Sequence, residues 1–134
     1  MDDVVLNKAA TIERCIARIR EEYDGDERNL VLDQRRQDSI VLNVQRSCEA
    51  AIDLAMHVVR VRRLGIPQES RDAFTLLRDA GVIHPELANR MLAMVGFRNV
   101  AVHDYRRLDL AIVKSIVTDH LDDFLEFTRT LLGH

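Results

Sequence analysis

The chain has 134 residues, a length that suits one domain with a real core. Hydrophobic residues are 47% and charged residues 31%, an ordinary globular balance, and no stretch approaches the roughly 18 apolar residues a membrane span needs. The formal net charge of -3 excludes a global basic field, so nucleic-acid binding would need a local cationic patch. Aromatics are 4% with no Trp, which predicts a core of Leu, Ile, Val, Ala and Met suited to helix packing. Five Gly and two Pro are too little punctuation for an all-β fold with many turns.

From Asp3 to Tyr23 the apolar residues Val5, Ala9, Ile12, Ile16, Ile19 and Tyr23 recur in steps of four and three, one face of a helix. Asp24-Gly25-Asp26 ends it, and residues 24 to 36 read as a polar connector with a short turn around Leu30 to Leu32. A long second helix is predicted from Gln37 to Arg63, with the stripe Val41, Val44, Cys48, Ala51, Ala55 and Val58. Beside that stripe run Gln45, Glu49, Asp53 and His57 at steps of four, drifting only about 40° per step. Glu49, Asp53 and His57 would line a cleft opposite Arg98 and His103, or else form a solvated face.

Gly65-Ile66-Pro67 stops the second helix, and the basic run Arg60 to Arg63 suits a helix C-terminus. A third helix is predicted from Ser70 to Ala80, packing through Ala73, Phe74 and Leu77, with Gly81 as its terminator. Pro85 suits the first turn of a fourth helix carrying Leu87, Met91, Leu92 and Val95. Asp109 reads as the N-cap of a final helix from Leu110 to Leu132, striped by Leu110, Val113, Val117, Leu121, Phe124, Leu125, Thr128 and Leu131. His120 lies beside that stripe with no evident partner and reads as structural or merely exposed. His84 and His134, at a turn and at the terminus, carry no assignment. Together these elements predict an all-α, up-and-down antiparallel helical bundle of two or three long helices plus short ones, a single domain over residues 1–134. Cys15 and Cys48 read as small buried hydrophobes in a reducing compartment, and the Met-Asp-Asp start shows no signal peptide. The expectation is a soluble, cytoplasmic protein.

Chemistry concentrates in Arg98-Asn99-Val100-Ala101-Val102-His103-Asp104-Tyr105. Imidazole moves protons near neutral pH, and a guanidinium matches phosphate oxygens with a planar fork of donors. Asn99 would orient the imidazole or a phosphate oxygen. On an uninterrupted helix Asn99 and His103 share a face, while Arg98 lies about 140° from His103. A curled Arg side chain, a kink after Gly96, or a second chain would have to close that gap. No metal signature such as H-E-x-x-H is present, so no metal or cofactor is expected.

The pattern R-N-x-x-x-H-x-Y, in a chain of this length with an amphipathic helix directly after it, resembles the HEPN family of ribonucleases. More narrowly it resembles the HepT-type toxins of HEPN/MNT toxin-antitoxin pairs. The run Gln45 to Asp53 and the segment Gly65-Ile66-Pro67-Gln68 are also similar to HepT-type proteins. The resemblance implies a metal-independent endoribonuclease acting on RNA through the substrate's 2′-hydroxyl. It implies that Arg98 and His103 are catalytic with Asn99 in support. It further implies a homodimer whose paired motifs meet, within a larger hetero-oligomer or alone, and an MNT-type nucleotidyltransferase antitoxin that adenylylates Tyr105. Two other classes fit the same residues: a non-catalytic nucleotide- or substrate-binding module partnering a nucleotidyltransferase, and a purely structural helical dimer.

Overall fold

The computed structural model describes residues 2–133, so Met1 and His134 lie outside them. Helix α1 spans Asp3–Tyr23, as its stripe predicts. Its start is set by Asp2, whose side chain accepts from the Val4 amide at 2.8 Å. Its end is a left-handed Asp24 (φ 49°) followed by Gly25 (φ 67°). The polar connector contains one turn of helix, α2 (Arg28–Val31), which buries Leu30 completely. Helix α3 runs Gln34–Val61. It begins three residues before the expected Gln37 because Asp33 caps it, accepting from the Arg36 amide at 3.2 Å. It ends before Arg63, which takes a left-handed φ of 55°.

Helix α4 (Ser70–Asp79) opens with a reciprocal cap between Glu69 and Asp72. Helix α5 (Pro85–His103) starts on Pro85 and does not kink at Gly96: it runs unbroken through the first six residues of the motif. A 3₁₀ turn at Tyr105–Arg107 follows. The expected last helix is in three parts: α6 (Leu110–Ser115), a π-helical turn at Ile116–His120, and α7 (Leu121–Leu132). Val113, Val117 and Leu121, spaced by four, are all buried across this turn.

Successive long helices run antiparallel. Asp2 meets His57 while Arg36 donates to the Glu22 carbonyl, which orients α1 against α3. Tyr105 meets Asp38 at the opposite end of α3, which orients α5. Arg20–Asp122 and Arg90–Glu126 hold α7 against α1 and α5. The core is built mainly of Leu, Ile, Val, Ala and Met, as the composition predicts, and it takes in the rings as well. All four phenylalanines (Phe74, Phe97, Phe124 and Phe127) are buried, and Phe74 meets Phe127 in a tilted pair with ring centroids 5.4 Å apart. Aliphatic residues fill the layers around them, and the few rings anchor the junction of α4 with α7. No helix among the described residues is long and apolar enough to cross a membrane.

Candidate active site

The last turns of α5 and the 3₁₀ turn carry the motif on a rigid base. Phe97 and Ala101 face the core, while Asn99, Val100, Val102 and His103 are exposed. Because α5 is regular here, Asn99 and His103 lie on one face and Arg98 projects about 140° away. Arg98 is half-buried and turned toward the start of α4, where its Nη2 donates to Ser70 Oγ at 3.2 Å. Its Nε is buried with no partner. The guanidinium acts on the buried Cys48 thiol: burial pushes that thiol far up, and the Arg98 charge only partly offsets it. Cys48 is therefore an inert packing residue. His103 closes α5 and stands exposed at its C-terminal end.

Tyr105 stands in the 3₁₀ turn and is 47% exposed. Its hydroxyl donates to Asp38 Oδ1 at 3.3 Å, across from the first turns of α3. Partial burial and the Asp38 carboxylate both push the phenol above its ordinary range. Arg106 and Arg107 add two exposed cations, with Arg107 3.8 Å from Asp104.

The polar stripe on α3 turns mostly elsewhere. Asp53 pairs with Lys8 of α1 at 3.0 Å. His57 binds Asp2 and lies 3.3 Å from Arg60. Nineteen residues separate His57 from Asp38, so His57 sits roughly 28 Å along α3 from the Tyr105 end. His57 does line a groove of about 410 Å³, with Val5, Val61 and Leu131, but neither Arg98 nor His103 reaches it. Glu49 is half-buried and accepts from Gln45 at 3.0 Å. Glu49 and Arg98 both act on the Cys48 thiol, in opposite directions. His120 has a partner after all: its Nδ1 lies 2.9 Å from Asp123 Oδ2, and Asp123 is buried and also pairs with Arg90 at 3.3 Å.

Sequence reading missed Ser70 and Asp38, the two side chains that hold Arg98 and Tyr105. Ser70 looks like a helix-start residue, and Asp38 like one more polar group in a polar segment. Asp123, three residues after His120, was within reach of an i,i+3 argument. Among the described residues no three His, Cys, Asp or Glu side chains are grouped to hold a metal ion.

An all-helical bundle presenting Arg98, Asn99, His103 and Tyr105 at one helix end is the class of HEPN ribonucleases. A profile of proteins described as "HepT-like: Ribonuclease HepT-like" matches residues 12–131, and the chain belongs to that family. It is 51% identical over 127 residues to the mRNA nuclease HepT of Shewanella oneidensis, covering 95% of each chain. It also matches a solved structure of the tri-AMPylated Shewanella oneidensis HEPN toxin in complex with MNT antitoxin, with 48% identity, a TM-score of 0.95 and full coverage of both chains. A second solved structure, of the toxin-antitoxin with AMP-PNP, matches with 47% identity and a TM-score of 0.94, over 99% of this chain and 100% of that one. The chain is an endoribonuclease of the HEPN type.

Proposed function

We propose that this chain is the toxin of a HEPN/MNT toxin-antitoxin pair, one HEPN-like domain that cleaves RNA without a metal ion. The observation that carries the residue roles is the division of labour on α5. Arg98 is held half-buried with an unpartnered Nε, and His103 stands exposed at the helix end. The substrate's 2′-hydroxyl attacks the adjacent phosphorus and the 5′-oxygen leaves. His103 supplies proton transfer, Arg98 stabilises the charged phosphorane, and Asn99, one turn before His103 on the same face, orients the imidazole.

One chain presents one such histidine, and the reaction needs both a base and an acid. Arg98 also diverges from His103 by about 140° on a straight helix. A homodimer answers both needs: a two-fold axis beside the end of α5 gathers two copies of His103 and two of Arg98 into one cleft. The exposed apolar side chains Val100 and Val102, on the same turns, suit burial there. Such a cleft also concentrates positive charge on a protein of net charge -3.

The partner is an MNT-type nucleotidyltransferase, and Tyr105 is the residue it modifies with AMP. The relative's structure, tri-AMPylated and bound to MNT antitoxin, supports this reading, as does the exposure of the Tyr105 ring. The attached phosphate would lie against Arg106 and Arg107, beside Tyr105 in the chain, and occupy the place of the RNA backbone. The protein acts where its RNA is, in the cytoplasm.

The test is purified chain incubated with total RNA in excess chelator, with product ends mapped. The products should carry 2′,3′-cyclic phosphate and 5′-hydroxyl ends. His103→Ala and Arg98→Ala should each abolish cleavage while the helical signal stays intact. A requirement for divalent metal, or full activity without His103, contradicts the mechanism. Binding of RNA or nucleotide without cleavage would favour the binding-module reading.

A further inference from the structure

We propose that Asp38 is the base that receives the Tyr105 phenolic proton when the tyrosine takes up a nucleotide, so that the toxin supplies part of the chemistry of its own modification. This rests on the reading of Tyr105 as the adenylylated residue. The geometry is already in place without a partner. Asp38 and Tyr105 are 67 positions apart in the chain, yet the hydroxyl donates to Asp38 Oδ1 at 3.3 Å. That carboxylate is itself oriented, because Gln34 Nε2 donates to the same oxygen at 2.8 Å from one turn earlier on α3. The tyrosine is carried on a 3₁₀ turn between α5 and α6, with the Asp109 side chain capping α6 by accepting from the Ala111 amide at 2.8 Å. The other nearby carboxylate, Asp104, lies 3.8 Å from Arg107. Asp38 is thus the acceptor that the Tyr105 hydroxyl finds among the described residues.

The phenol needs such a group. Burial and the Asp38 charge hold its pKa above the ordinary range, so the hydroxyl keeps its proton at neutral pH. An oxygen that keeps its proton is a poor nucleophile until a base takes that proton during attack. The step balances with one co-reactant, adenosine triphosphate bound by the nucleotidyltransferase. The Tyr105 oxygen forms a bond to the α-phosphorus, and the bond from that phosphorus to the bridging oxygen of the β-phosphate breaks. Pyrophosphate leaves, and the phenolic proton passes to Asp38 and on to water. Nothing is oxidised or reduced. Both Asp38 and Tyr105 are exposed, so a partner's nucleotide can approach without the bundle opening.

The experiment follows AMP addition by intact mass, using the full-length chain, its MNT-type nucleotidyltransferase and ATP. Asp38→Asn keeps the size and the hydrogen-bond acceptor but removes the base. The initial rate of the first addition should fall at least roughly tenfold at saturating ATP. The ATP concentration for half-maximal rate and the helical melting curve should not move. Asp38→Glu should recover part of the rate, and the deficit of Asp38→Asn should narrow as pH is raised and hydroxide takes over the proton. Modification of Asp38→Asn at the wild-type rate overturns the proposal. So does an equal loss in Asp38→Asn and Asp38→Glu that pH does not change, which marks a packing role. The Tyr105→Phe variant separates the two layers. If it is modified as well as wild type, Tyr105 is not the target and both readings fall. If it is not modified while Asp38→Asn is unaffected, only the role of Asp38 falls.

Discussion

Arg98 spends one guanidinium nitrogen on Ser70 and keeps its Nε buried without a partner, so a single hydrogen bond from α4 fixes its direction. Ser70→Ala removes that bond. The cost of a typical hydrogen bond, about 1 kcal/mol, corresponds to roughly a fivefold loss of RNA cleavage through a misdirected Arg98. Steady-state kinetics should show the loss in kcat, and Ser70→Thr should restore it. Asp123 offers a different case. It is buried between Arg90 and His120, and Asp123→Ala leaves His120 without its carboxylate and Arg90 with Glu126 alone. Urea unfolding should register a loss of about 1–3 kcal/mol. The chemistry-bearing residues were legible in the sequence by type and spacing: Arg98, Asn99, His103 and Tyr105 sit in eight consecutive positions. Their supports were not. Ser70 and Asp38 reach the motif from 28 and 67 residues away, and no local pattern announces such a pairing.

At the level of elements, amphipathic spacing located every long helix, and α1 most closely, because a stripe reports the buried face directly. The boundaries and the one irregularity answer to other forces. Asp33 starts α3 early through a cap, and a π turn interrupts what the stripe reads as one final helix. The pairing of His57 with Asp2 shows how an element end can depend on pH. The hydrogen bond from His57 is the largest influence on Asp2 and holds its carboxyl below the usual range, against the opposing effect of desolvation. A depressed carboxyl contributes stability that is fully present above its unfolded pKa and is lost as pH falls through the folded value. Amide protection in the first turn of α1, measured against the intrinsic exchange rate at each pH, should therefore fall as pH drops below the ordinary carboxylate range. In His57→Ala the loss of protection should begin at higher pH. An unchanged profile in that variant would mean that the cap on Val4, and not His57, anchors the turn.

The molecule as a whole is an antiparallel bundle of long helices whose two ends do different things. At one end of α3, His57 and Asp53 fasten α1. At the other end, Asp38 meets Tyr105, with the motif helix arriving alongside. The fold class was readable from composition and periodicity. The tilted pairing of Phe74 with Phe127 was not, since a 4% aromatic content says nothing about which rings meet. Nor could the sequence decide how Arg98 and His103 come together. The regular course of α5 removes the kink as an answer, and the bond to Ser70 turns Arg98 away from a curl toward His103.

The proposed dimer draws His103 from both chains into one cleft. Wild-type and His103→Ala chains, co-expressed at a range of ratios and purified together, test it. If both histidines are required, only pure wild-type dimers cut RNA, and at equal amounts cleavage should be about one quarter of the all-wild-type rate per total protein. Across the series the rate should follow the square of the wild-type fraction. A rate that falls in direct proportion to that fraction, about one half at equal amounts, would show that each chain carries a complete site and would contradict the account.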